Sequence, residues 1–184
     1  MDTTTRTRPG LAALVGGVRA AVTRHAGDSH RTAYAVADVL RATLPGPELL
    51  TVEERSGDAA GLSGPLLHAE PDFSIKAVVW RPDQDTVIHD HIAWCAFGVL
   101  QGVEYETLYR DHGDHLTEIG RTANQVGDVS GFAPPGDIHK VHNIGDTTAI
   151  SLHIYGGDLR GGVSSVRREY HLPIRPRTLT ATRG

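Results

Sequence analysis

The stretch TVIHDHIAWCAFGVLQG, residues 86–102, places His89 and His91 two positions apart around Asp90. Four residues after His91 stands Cys95, the only cysteine of the chain, among apolar neighbours. In a β-strand alternate side chains share a face, so His89 and His91 point together and Asp90 points away. Two imidazoles on one face supply most of a first-row metal site, because neutral imidazole suits zinc, copper and iron alike. The same spacing also arises in solvated or core histidines, and the chain has 11 histidines, so the pair alone decides nothing. A second stretch, SLHIY, sets Ser151, His153 and Tyr155 at i, i+2 and i+4, again on one strand face. Three polar groups on an inward face are expensive to bury without partners, which argues for a hydrogen-bonded set.

These residues need a scaffold of strands. From about residue 48, short β-rich runs alternate with Gly, Pro, Asp and Asn turns: FSIKAVVW, HIAWCAFGVL, GVEYETLYR, LTEIGRT, DVSGFAPPG, HKVHNI and TAISLHIYG. Turn signals recurring every ten residues or so, with no βαβ rhythm, predict a sandwich or barrel. Ahead of it, Leu11, Leu14, Val15, Val18 and Val22 form one helical stripe, and Tyr34, Val36, Val39 and Leu40 form a second. The expected organisation is an N-terminal helical extension over 1–45, a barrel over 46–172 and a loose tail over 173–184, with residues 1–9 disordered.

Composition narrows the function classes. The 184 residues carry a formal net charge of −4, and 39% are hydrophobic, enough for one core. Of 18 basic residues only two are lysine, Lys76 and Lys140, which reads as a compositional bias. No basic stripe with interleaved aromatics is present, so no nucleic-acid partner is expected. No apolar run reaches the roughly 20 residues of a membrane span, and the N-terminus lacks the apolar core of a signal peptide. A single cysteine precludes an internal disulfide and fits a cytoplasmic location.

The spacing of the two histidine segments resembles the cupin superfamily, whose first motif runs H-x-H, a glutamate a few residues on, then six residues and a glycine. Here His89, His91 and Gly102 keep the register, but Cys95 stands at the glutamate position. The second motif, P-x-G-x-x-H-x-x-x-N, is met by Pro134, Gly136, His139 and Asn143. The resemblance implies an all-β, jelly-roll-like barrel with metal ligands His89, His91 and His139. His142, also in the segment, faces the other side of that strand and is left out.

A cysteine in place of the carboxylate resembles the thiol dioxygenase branch, cysteine dioxygenase and 3-mercaptopropionate dioxygenase. The resemblance covers about residues 60–172 and includes Trp80, nine residues before His89. It implies mononuclear Fe(II), O2 as co-substrate and a small carboxylate-bearing thiol oxidised to a sulfinate. Three neutral imidazoles leave the ion its full charge, which favours a thiolate ligand. Cys95 then flanks the site, with a thioether to Tyr155 as an option, and Trp94 is a further candidate beside it. Ser151, His153 and Tyr155 match the branch's hydrogen-bond relay, with the tyrosine hydroxyl beside the metal.

The arginine that holds the substrate carboxylate in animal-type enzymes falls at Ser63, with Arg55 and Arg81 both too far along the chain. The mercaptopropionate type uses an Arg-Arg pair late in the chain, which points to Arg168 first and Arg167 second, although about three extra residues precede the pair here. Three other readings stand beside this one: a specialised-metabolism enzyme that oxidises a cysteine-derived thiol beyond the sulfinate, a three-histidine zinc hydrolase or lyase, and a non-catalytic ligand-binding cupin.

Overall fold

The computed structural model of the chain describes residues 7–176. Residues 1–6 and 177–184, where most of the expected loose termini fall, lie outside the described residues.

Helix α1, Leu11–Arg24, buries Leu14, Val15, Val18 and Ala21, the i, i+4, i+7 stripe that one helix face requires. Helix α2, Ser29–Thr43, starts at Asp28, whose carboxylate accepts the Arg31 backbone N–H and satisfies one orphan donor of the first turn. A 3₁₀ turn at Pro47–Leu49 and a short helix α3, Val52–Ser56, follow. Thr51 and Glu54 close α3 with a reciprocal capping box. The helical part therefore runs past residue 45, and the first strand begins only at Leu66.

Among the described residues eleven strands form two sheets. The strands are β1 Leu66–Ala69, β2 Phe73–Trp80, β3 Ile88–His91, β4 Cys95–Gln101, β5 Val103–Asp111, β6 Leu116–Gln125, β7 Val129–Phe132, β8 His139–His142, β9 Ala149–Gly156, β10 Val166–Tyr170 and β11 Ile174–Arg175. The first sheet runs β1-β2-β9-β4-β7 and the second β10-β3-β8-β5-β6-β11. Among the described residues no helix is long and apolar enough to cross a membrane.

The first sheet is covered on both faces. Its outer face, with Ile75, Ala77 and Val79 from β2, Ala96 from β4, and Ile150, Leu152 and Ile154 from β9, joins the buried stripes of α1 and α2 in one cluster. Its inner face is ordered in rows by the strand register. Ser74, Tyr155 and Cys95 lie side by side, then Lys76, His153 and Phe97, then Val78, Ser151 and Val99. A strand buried on both sides reads as a continuous apolar run, which is why FSIKAVVW shows little alternation.

In the second sheet, His89 of β3 lies directly opposite His139 of β8, and Leu108 of β5 lies on the other flank of His139. This sheet also takes in residues expected in the tail. Ile174 and Arg175 pair in parallel with Leu116 and Thr117, because the Leu116 N–H donates to the Pro173 carbonyl at 2.9 Å and Tyr170 is buried against Tyr109, Leu116 and Ile138. Ahead of β1, Gly64 has φ +130°, and a Cβ there would meet the Ala77 carbonyl at 2.1 Å. The chain can thus lie tight against β2, and Ser63 is held at the mouth of the barrel by bonds across the Val79 and Ala77 backbone.

Candidate metal centre

His89, His91 and His139 are buried, and one ring nitrogen from each lies within 4.8 Å of the others. Strand alternation brings the first two to the inner face, and the β3–β8 ladder sets the third beside them. Each ring is anchored at Nδ1. The His89 Nδ1–H donates to the Val87 carbonyl at 3.0 Å, that of His91 to Asp137 Oδ2 at 3.0 Å, and that of His139 to Glu106 Oε1 at 2.6 Å. These acceptors assign the Nδ1–H tautomer to all three rings and leave three Nε2 lone pairs turned inward.

Two of those lone pairs face each other directly, His139 Nε2 and His89 Nε2 being 3.3 Å apart. Neither nitrogen carries hydrogen in this tautomer, so the contact is repulsive unless a cation sits between them. Imidazole–metal bonds of about 2.0–2.1 Å at a right angle would set two ligands about 3 Å apart. The donor set therefore fits one divalent ion. Burial is the main cause holding His89 in its neutral form, with a pKa lowered to about 4, and burial also lowers His91. Asp137 is subject to burial, which opposes ionisation, yet the hydrogen bonds from the His91 ring and backbone outweigh it and leave its pKa below the usual value.

The histidines open onto a cavity of about 370 Å³, also lined by Lys76, His153, Tyr155, Trp80 and Ser63. Tyr155 is 9% exposed, and burial raises its pKa well above that of a free phenol, so its hydroxyl stays a proton donor. Ser165 lines the same cavity as the phenol. Cys95 is fully buried, lies opposite Tyr155 in the ladder, and is held as a thiol mainly by burial. Its sulfur does not belong to the histidine group among the described residues.

The relay keeps the expected Ser151–His153 contact and differs at its two ends. Trp80 Nε1–H donates to Ser151 Oγ at 3.1 Å, and Ser151 Oγ meets His153 Nε2 at 2.8 Å. Glu104 Oε2 lies 3.6 Å from the same His153 Nε2, and His153 Nδ1 stands 4.0 Å from Cys95 Sγ. His153 and Tyr155 are stacked, centroids 5.7 Å apart and 19° between planes, not linked through the hydroxyl.

Three other expected residues stand elsewhere. Arg167 pairs with Asp90, which also accepts from the Tyr170 hydroxyl at 2.8 Å. Arg168 lies 4.4 Å from the Tyr170 ring centroid and faces Asp111 at 3.5 Å. Both are about half exposed and neither lines the cavity. The cause is a register shift between Val166 and Arg168, which turns Val166 inward and leaves Arg168 opposite Asp90 on the outer face. Trp94 packs into the helix-side core, its indole occupying the space a Cβ at Gly156 would need. His142 behaves as expected, turning outward against Tyr105. Reading the sequence missed Asp137, Glu106 and Lys76. Asp137 sits two residues before His139 within the second motif, a signal that was available. Glu106 and Lys76 become visible only through strand pairing.

A two-sheet jelly-roll barrel with three inward imidazoles and helices packed on one sheet defines a cupin metal centre. More narrowly, the chain belongs to the cysteine dioxygenase type I family, whose pattern matches residues 66–160, just over half of the chain. Solved structures of related shape include an uncharacterised double-stranded β-helix protein of Klebsiella pneumoniae, 18% identical over 61% of this chain and 91% of that one, with a TM-score of 0.44. A Cupin 2 conserved barrel domain protein of Salinispora arenicola is 21% identical over 51% and 74%, with a TM-score of 0.40. Oxalate decarboxylase of Bacillus subtilis is 21% identical over 55% of this chain and 27% of that one, with a TM-score of 0.45.

Proposed function

We propose that the chain is a mononuclear non-haem iron thiol dioxygenase that converts a small carboxylate-bearing thiol into its sulfinate. The observation that carries this reading is the donor set: three Nδ1-anchored imidazoles with no carboxylate among them, facing a protonated phenol across one cavity, in a member of this family. Iron(II) held by Nε2 of His89, His91 and His139 would supply the redox centre at which a thiolate and dioxygen meet. The balance is R–SH + O2 → R–SO2⁻ + H⁺, both oxygen atoms ending on sulfur and the sulfur supplying the electrons, so no external reductant is required.

The chain's own residues divide the remaining work. Asp137 and Glu106 fix two imidazoles by taking their Nδ1–H, which also strengthens Nε2 as a donor. Tyr155 keeps its proton at the reaction pH and donates it, as a hydrogen bond, to oxygen in the cavity. Cys95, neutral and buried behind Tyr155, packs the ring from the next strand. The apolar wall formed by Val78, Val141 and Val163 limits water around the reacting groups.

The test is an oxygen electrode with protein reconstituted anaerobically with iron(II) and a panel of small thiols. Uptake of one O2 per thiol with a sulfinate product is expected. No uptake with any thiol, or activity only with zinc, refutes the reading, and a sulfonate product would instead favour oxidation beyond the sulfinate.

A further inference from the structure

We propose that Lys76 is the residue that binds the substrate carboxylate, from the wall of the barrel opposite the metal ligands. The proposal rests on the dioxygenase reading for the identity of the substrate, but not for the existence of the anion site. Lys76 lies on the inner face of β2 between Ser74 and Val78, directly opposite His153, and it lines the cavity. Besides the histidines, the charged groups lining that cavity are Lys76 and Asp85, and Asp85 is paired with Lys140. No acidic side chain pairs with Lys76 among the described residues. A cation directed into a concave site with no counter-ion of its own is suited to an anionic ligand.

Three further observations agree. Ser63, on the same cavity, is a short neutral side chain whose Oγ accepts from the Asp58 backbone, so it offers no competing charge. Arg167 and Arg168 are turned outward and engaged with Asp90 and Asp111. And in a chain with only two lysines among 18 basic residues, one of the two faces the metal centre. A lysine is a compact point charge on a flexible stem, not a planar fork, so it holds a carboxylate through one oxygen and tolerates more than one spacing between thiol and acid. The cavity thus presents imidazoles to the sulfur on one sheet and an ammonium to the acid on the other.

Lys76→Met keeps the length and apolar stem of the side chain and removes the charge, and Lys76→Arg keeps the charge. Anaerobic calorimetry, in which no turnover occurs, measures binding of 3-mercaptopropionate, cysteamine and 2-mercaptoethanesulfonate to the metal-loaded protein, and oxygen uptake gives KM for each. Lys76→Met should weaken 3-mercaptopropionate by roughly 10- to 1000-fold in both assays, leave cysteamine within about two-fold, and be partly rescued in Lys76→Arg. An unchanged affinity for 3-mercaptopropionate, or an equal loss for cysteamine, overturns the proposal. A parent protein that prefers the sulfonate overturns the assignment to a carboxylate. If no thiol is oxidised, yet Lys76→Met still loses the carboxylate in calorimetry, the anion site stands and the dioxygenase reading fails.

Discussion

Replacing Glu106 by Leu tests whether the metal centre depends on what stands behind its ligands. Glu106 Oε1 takes the Nδ1–H of His139 at 2.6 Å, and the two side chains are only 12% and 6% exposed, so water cannot replace the lost acceptor at little cost. The buried imidazole N–H would be left unpaired, which costs about 1–3 kcal/mol. Loss of such an outer partner independently corresponds to a 10- to 100-fold weaker metal, or about 1.4–2.7 kcal/mol. The two routes agree on a factor of about 30. Glu106→Gln retains a carbonyl that can accept the same proton, and its loss should stay below about 10-fold. The assay is competition of iron(II), or cobalt(II) as a spectroscopic probe, against a chelator of known affinity. Metal-induced stabilisation provides a second readout: about 2 kcal/mol less of it should lower the melting temperature of the loaded Leu variant by about 4–8 °C relative to the loaded parent. If the Leu variant holds the metal as tightly as the parent, the anchoring of His139 is irrelevant to the site and the argument fails.

Other outcomes follow from the same geometry. His139→Ala should abolish metal binding, whereas His142→Ala, on the outer face against Tyr105, should retain it; the reverse pattern in a metal titration would show the ligand set to be wrong. Tyr155→Phe should keep fold and metal but lose turnover by on the order of 100-fold, because one positioned donor is removed from the cavity; an unchanged rate removes the phenol from the mechanism. In the metal-free protein, the unfolded chain takes up a proton at His89 near the ordinary imidazole value of 6.5 while the folded chain stays neutral down to about 4. Stability from this group is therefore complete above about 6.5 and falls by about 3 kcal/mol as the pH drops toward 4, a slope that thermal melts across that window would detect and whose absence would contradict the burial of His89.

Much of this was legible before any coordinates. The H-x-H pair and the P-x-G-x-x-H spacing picked out the three histidines whose ring nitrogens come together, because period-two alternation and turn placement are local rules that tertiary context did not override. The same rule selected His139 over His142. It failed at the arginine pair, where the alternation of 166–168 is broken by a register shift that no residue type in SSVRREY announces. It failed for Trp94 for a related reason: β4 begins at Cys95, so the residue before it belongs to a loop and falls on the helix side of the sheet. Of the relay, the shared strand face and the Ser151–His153 contact are as expected, while Tyr155 stacks on His153 and the Ser151 hydroxyl also accepts from Trp80, 71 residues away in sequence.

Lys76 shows most clearly where sequence reading runs out. FSIKAVVW looks like a buried strand with one charged residue in it, and nothing within those eight residues says which way that residue points. The direction is set by two packing demands acting together. Helices α1 and α2 require Ile75, Ala77 and Val79 for their own burial, and that fixes the register of β2 so that Lys76 must face the barrel interior. The cation at the cavity wall is thus a consequence of the N-terminal helices. Truncating or repacking them should disturb ligand affinity through β2 even though no helical residue lines the cavity. In this way a segment that reads as a mere cap on the core reaches the chemistry: it decides which face of a single strand the binding site receives.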